Sequence, residues 1–148
     1  MRSMLAAARA LGRQAMILEA RSGSDIDAGF ATLVERGAGA LVVGPHVLFE
    51  RNSKKIIDLA ARHRISAIYP DRGFAVAGGL MSYTADGIAA IRQIGSLYTA
   101  QILRGAKPAD LPVQQPTKFN LVINLSAAKA LGLTIPQTLL AIADEVIG

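Results

Sequence analysis

The 148-residue chain is 51% hydrophobic and 18% charged, contains no cysteine and carries a formal net charge of +5. That length accommodates one core of ordinary size, and the composition supplies enough apolar surface to exclude an intrinsically disordered chain. Disulfides, zinc-thiolate sites and thiol nucleophiles are excluded with the cysteines.

From Met4 to Leu11 the run of helix formers before Gly12 predicts a first helix, closed by glycine at the usual stop position. Ala15 to Leu18 then reads as a short buried strand, and Ser24 with Asp25 supplies an N-cap before IDAGFATLVERG. Ile26, Phe30, Leu33 and Val34 fall on one face of that helix. Ala40 to Val43 is a continuous apolar run of the kind found in parallel strands covered on both faces, and Gly44-Pro45 ends it.

A helix is predicted from about Glu50 to His63, with Ile56, Ile57, Leu59 and Ala60 on its apolar side, followed by a third strand from Ile65 to Tyr69. Gly78-Gly79 precedes a fourth strand, Leu80 to Tyr83, and Asp86 starts a long helix carrying Ile88, Ile91, Ile94, Leu97, Tyr98, Ile102 and Leu103. Residues 105–118 hold three prolines and read as an extended connector. Beyond it FNLVINL (Phe119 to Leu125) alternates as a strand, a helix spans Ser126 to Leu131, and a last helix runs from about Pro136 to Val146. The organisation expected is a ligand-binding α/β lobe over 1–104, the connector over 105–118, and a returning strand and helices over 119–148. Alternating strands and helices predict α/β architecture, a parallel sheet with helices on both faces.

Ligands of such sheets bind beyond the carboxyl ends of the strands, which directs attention to the segments just after them. Pro45 and His46 follow one strand, where the imidazole reads either as a hydrogen-bonding partner for a ligand or as an ordinary loop residue. Asp71 and Arg72 follow another, and would suit the two charged ends of an amino-acid-like solute or form a surface ion pair capping a turn. Ser82 and Tyr83 end a third, offering a hydroxyl and a ring to a ligand or packing beside the sheet edge.

Catalytic chemistry finds little footing. His46 and His63 are the only histidines. His63 sits between Arg62 and Arg64 at a helix end, a surface position, and neither histidine has a second ligand at metal spacing. No GxxxxGK[ST] phosphate loop and no nucleophile-base pair occur, so neither catalytic residues nor metal nor cofactor is expected. The basic residues are scattered, without the aromatic interleaving of single-strand binders or a helix-turn-helix, so no nucleic-acid partner is expected. Arg2, Arg9 and Arg13 interrupt the opening segment and no stretch reaches the roughly 18 apolar residues of a membrane span, so neither export signal nor span is expected.

The stretches LAARHRISAIYPDR (Leu59 to Arg72), AGGLMSY (Ala77 to Tyr83), ILRGAKPADLPVQQPTKFNLVINLSAAKALGLTIP (Ile102 to Pro136) and ADEVI (Ala143 to Ile147) resemble the carboxyl-terminal part of ABC-transporter substrate-binding proteins, in the group that includes aromatic-amino-acid binders. The family's usual glycine after Met-Ser-Tyr is Thr84 here. This resemblance implies one lobe of a type I periplasmic-binding-protein-like fold, a small-molecule solute bound without chemical change, an ABC permease as partner and a periplasmic location. Family members are longer, with an export signal and a second lobe, so the expectation is a truncated binding protein, cytoplasmic if this is the complete gene product, in which Pro45, His46, Asp71, Arg72, Ser82 and Tyr83 form one wall of a cleft. The competing expectation is a non-binding α/β domain that self-associates as a homodimer.

Overall fold

The computed structural model describes residues 2–113 and 115–148, leaving aside the side chains at positions 2, 3, 88–90 and 93. The chain forms two compact units, Met1–Ala38 and Gly39–Gly148.

In the first unit, helix α1 (Arg2–Ala10) ends at Gly12, whose φ of 65° lets the Arg13 N–H return to the Ala8 carbonyl at 2.8 Å. The strand expected at Ala15 to Leu18 does not form: the segment is irregular, and Met16, Ile17 and Leu18 stay exposed. A four-residue apolar run becomes a strand only where a neighbouring ladder takes up its backbone groups, and this one has no partner in the sheet. Helix α2 (Gly23–Glu35) starts earlier than expected, because Ser22 is the N-cap and Asp25 the other half of a capping box. The Ser22 hydroxyl accepts from the Asp25 N–H at 3.2 Å, while the Asp25 carboxylate accepts from the N–H groups of Arg21 and Ser22 at 2.8 and 3.0 Å. Those backbone donors, Arg21 first, hold the Asp25 carboxyl below its ordinary pKa. Ile26, Phe30 and Leu33 form the buried stripe of α2, and Val34, expected beside them, is exposed.

The second unit is built on a five-stranded sheet ordered β1 (Ala40–Val42), β2 (Ser66–Tyr69), β3 (Met81–Ala85), β4 (Phe119–Asn124), β5 (Glu145–Ile147). Its helices are α3 (Val47–Arg51), α4 (Ser53–Arg62), α5 (Arg72–Val76), α6 (Gly87–Leu103), α7 (Leu125–Ala130) and α8 (Gln137–Ala141), with a 3-10 turn at Pro108–Asp110. The helix expected from Glu50 to His63 is two helices, because Asn52 leaves helical geometry (φ −106°, ψ 19°) and its side chain donates to the Leu48 carbonyl at 2.8 Å. Ile56, Ile57 and Ala60 of α4 are buried, as are Ala67 and Tyr69 of β2 and Phe74 and Ala75 of α5.

The α/β class holds, with one pairing that differs from a wholly parallel sheet. β1, β2 and β3 pair in parallel, as do β4 and β5, whereas β3 and β4 are antiparallel with Ser82 opposite Val122 and Ala85 opposite Phe119. A parallel neighbour needs a crossover that carries the chain back to the other end of the sheet. Here α6 leaves the end of β3 and the connector returns to that same end, where the Asp86 N–H donates to the Lys118 carbonyl at 2.9 Å and the two side chains approach to 3.5 Å. The Tyr98 hydroxyl of α6 also donates to the Pro112 carbonyl of the connector. Ile88, expected on the apolar face of α6, and Gln114 in the connector lie outside the described side chains.

The carboxyl terminus differs too. The helix predicted to run to Val146 stops at Ala141, and the chain adds β5 instead. TLLAIADEVI (Thr138 to Ile147) is apolar at too many positions for periodicity to separate helix from strand. Asp144 settles the matter locally: its N–H donates to the Leu121 carbonyl at 2.9 Å and its carboxylate accepts from the Leu121 N–H at 2.8 Å, docking the chain on the edge of β4. Residues Leu121 to Asn124 of β4 are all buried, so both faces of this strand are covered.

Candidate ligand-binding rim

Because β1–β3 run opposite to β4 and β5, the carboxyl ends of the first three strands share a rim with the amino ends of the last two. The predicted site segments lie on this rim, and the structure adds Phe119 at the start of β4 and Glu145 at the start of β5.

Each predicted residue has a definite local role. Pro45 and His46 are exposed, and His46 caps α3 by accepting the Leu48 N–H on Nδ1 at 3.1 Å, its ring 5.9 Å from Phe49. Asp71 caps α5, its carboxylate accepting from the Gly73 N–H at 2.7 Å, rather than forming a turn-capping ion pair with Arg72. Arg72 pairs with Glu145, 73 positions away: Nε donates to Oε2 at 2.7 Å and Nη2 to Oε1 at 2.6 Å, a two-point fork. Each charge stabilises the other, so the Glu145 carboxyl lies below its usual pKa and the Arg72 guanidinium above its own, the hydrogen bonds being the larger cause in both.

Ser82 is 0% exposed, and its hydroxyl has no hydrogen-bond partner among the described residues. Tyr83 is 52% exposed and stacks on Phe119, centroids 5.4 Å apart and planes within 8°. Successive strand residues point to opposite faces, so these neighbours cannot serve one side of the sheet. Register puts Tyr69, Ser82, Val122 and Glu145 in one row across one face. Helix α5 covers that face, because the Asn124 side chain, two residues along from Val122, donates to the Ala75 carbonyl at 2.9 Å. Tyr83 and Phe119 share the other face. Thr84 continues β3 opposite Asn120, a strand position that suits a β-branched residue.

The rim therefore gathers Arg72 and Glu145 around α5, sets Tyr83 and Phe119 beyond them on the reverse face, and leaves Pro45 and His46 at the β1 edge. That edge is roughly four strand spacings of about 4.8 Å from β5. Glu145 and Phe119 escaped sequence reasoning. The alternation in FNLVINL predicts a strand at Phe119 but not its neighbour, and the apolar run after Pro136 predicts a helix that would hold Glu145. A recess of about 110 Å³ opens at the opposite end of the sheet, lined by residues including Ile57, Ala61, Tyr69, Leu80 and Leu131. It is below the roughly 300 Å³ from which drug-sized ligand pockets begin. Among the described residues no group of three or more His, Asp or Glu side chains could hold a metal ion, and no helix is long and apolar enough to cross a membrane.

A mixed sheet with helices and a polar, aromatic rim at the ends of three parallel strands defines one α/β lobe of a ligand-binding architecture. The chain belongs to the ABC transporter substrate binding protein family, whose sequence pattern matches residues 1–147. It is similar to a solved conserved domain protein from Vibrio cholerae O1 biovar El Tor (25% identity, TM-score 0.80, 99% of this chain and 49% of that one). It shares the fold of an ABC domain from Streptococcus pneumoniae in complex with L-Trp (24%, 0.81, 99% and 51%). It also shares that of a ligand-free, open substrate-binding protein with adhesive properties from Clostridium difficile (19%, 0.73, 99% and 48%). The chain thus spans about half the length of the solved proteins it matches. No curated protein matches it.

Proposed function

We propose that this chain is one lobe of the solute-binding component of an ABC import system, taking a small organic solute such as an amino acid at the rim and leaving it chemically unchanged. The family match across 1–147 carries this reading, and the L-Trp held by the similar Streptococcus domain supports an amino acid as the solute class. On this reading Arg72 meets the solute on the face that α5 covers, Asp71 and Ser82 shape the rim from within, Tyr83 bounds it on the reverse face, and Pro45 and His46 border it. Membership of the family supports a permease as recipient and a place outside the cytoplasmic membrane. Domain closure on a solute is a population shift driven by differential affinity, which needs no catalytic group.

A thermal-shift screen of the twenty protein L-amino acids with small aromatic and carboxylate solutes tests it. A binder present at 100 times its Kd raises stability by about 2.7 kcal/mol, a shift of several degrees. A flat response across the panel at millimolar concentration overturns the reading.

A further inference from the structure

The recess at the far end of the sheet from the rim lies between α4 and α7, and side-chain size accounts for it. Alanine and glycine make up most of its lining, with Ala60 and Ala61 on α4, Ala127 and Ala130 on α7, and Gly78 and Gly79 ahead of β3. Helices that meet a sheet through such small side chains leave room that larger ones would fill. Gly78 has φ 107°, a conformation side-chain-bearing residues rarely adopt, so the backbone itself keeps that wall bare. Ile65, Tyr69 and Leu80 at the floor are 2–3% exposed, whereas Ala61 and Ala130 are exposed and mark the mouth.

Tyr69 carries the one polar side chain in this lining. Its hydroxyl makes no hydrogen bond to a described residue, and burial alone raises its pKa. A tyrosine hydroxyl buried this far normally has a partner. Phe74, stacked at 4.9 Å, and Gly79 hold the ring in place, so the hydroxyl stays where it is.

We infer that the recess is a second binding site, for a compact neutral single-ring molecule bearing one hydroxyl. The ring packs on the alanines and on Leu80, and the hydroxyl bonds to that of Tyr69. Size sets the limit. An apolar cavity of about 150 Å³ holds benzene, and this one, about 110 Å³ and open at the mouth, takes one ring and not two. No charged side chain lines it, so an ion there would lose its hydration without a counter-charge. Zwitterionic amino acids are therefore excluded, and the inference does not rest on the solute-binding reading of the rim.

A chemical-shift titration of the whole chain with phenol and with toluene, matched in size and differing in the hydroxyl, tests it. Saturable shifts are expected at the methyls of Ile57, Ile65, Leu80 and Leu131, with a Kd for phenol of about 1 mM or below, as suits so small a ligand. Toluene, although more apolar, should bind roughly three- to tenfold more weakly, the effect of one neutral hydrogen bond. Tyr69→Phe keeps the ring and should reverse that order, because the phenol hydroxyl is then buried without a partner. Ala61→Leu and Ala130→Leu place a good helix former at exposed helical positions, and should abolish both titrations while the thermal midpoint holds. The inference is overturned if phenol gives no saturable shift at these methyls in tenfold excess over that Kd, or if toluene binds as tightly as phenol. An unchanged order in Tyr69→Phe, or unaltered titrations in both leucine variants, overturns it equally. None of these outcomes touches the proposed function, which is read at the rim.

Discussion

The ring of Tyr69 lies against Gly79 so closely that a Cβ at position 79 would sit 2.6 Å from Cε2. The ring cannot retreat, because its other neighbour is Phe74, stacked at 4.9 Å with the planes within 14°. The Phe74 carbonyl adds a backbone contact at 2.8 Å. Gly79→Ala is therefore expected to destabilise the chain by about 1–3 kcal/mol, the usual cost of overpacking. The urea midpoint measures this, and a variant as stable as the parent would mean the Tyr69–Gly79 contact is looser than described.

Arg64 is the opposite case. It sits just past α4 with φ 55°, the left-handed position, while Ile65 N–H donates to the Ala60 carbonyl at 2.9 Å and Arg64 N–H to Ala61 at 3.1 Å. These bonds close the helix in the motif that normally employs glycine. Arg64→Gly should raise stability by roughly 0.5–1 kcal/mol, relief of the Cβ clash outweighing the greater freedom of glycine in the unfolded chain. The same denaturation series, with Arg64→Ala as a control that keeps the Cβ, separates this effect from loss of charge.

Asn124 joins three elements with one amide. From the end of β4 its Nδ2 donates to the Ala75 carbonyl of α5 at 2.9 Å, and its Oδ1 accepts the Ala127 N–H of α7 at 2.9 Å. The residue is buried, so Asn124→Ala strands a donor and an acceptor away from water and removes the α7 cap. A loss of about 2–4 kcal/mol is expected. Asn124→Asp should also destabilise at neutral pH, since a carboxylate caps α7 but cannot donate to Ala75. Chemical denaturation of both variants checks the assignment.

Tyr69 makes stability pH-dependent in the alkaline range. Burial pushes its hydroxyl up to about 12. An unfolded tyrosine loses its proton near pH 10. The folded state thus keeps a proton the unfolded state gives up, and this contribution is complete below about pH 10 and falls as pH rises toward 12. Urea unfolding from pH 8 to 11.5 should show the decline, and Tyr69→Phe should flatten it. A Tyr69→Phe curve with the same slope as the parent would assign the decline to other groups.

Ser82 gives a test of what the rim buries. Its hydroxyl is enclosed without a partner among the described residues, so Ser82→Ala should leave stability unchanged or raise it by up to about 1 kcal/mol. A drop of several kcal/mol would reveal a bond to the hydroxyl that the structure does not show.

Much of this protein was readable locally. Glycines and prolines marked the ends of elements, apolar runs located β1 to β3, helical spacing located α2 and α4, and the strand-following segments pointed to the rim. The resemblance in residues 102–136 and its neighbours pointed to the family. These features depend on neighbours in sequence, on φ freedom, side-chain period and capping. What depends on distant partners was not readable. The antiparallel pairing of β4 with β3 follows from where the connector returns, and β5 forms because the edge of β4 takes up its backbone groups, which no periodicity in TLLAIADEVI encodes. Arg72 could be named as a charged rim residue, but its partner could not, since 73 positions separate it from Glu145 and only the register across β3, β4 and β5 brings them to one fork. Ser82 and Tyr83 looked equivalent in sequence, and the pleat turned one into the covered face and the other toward Phe119.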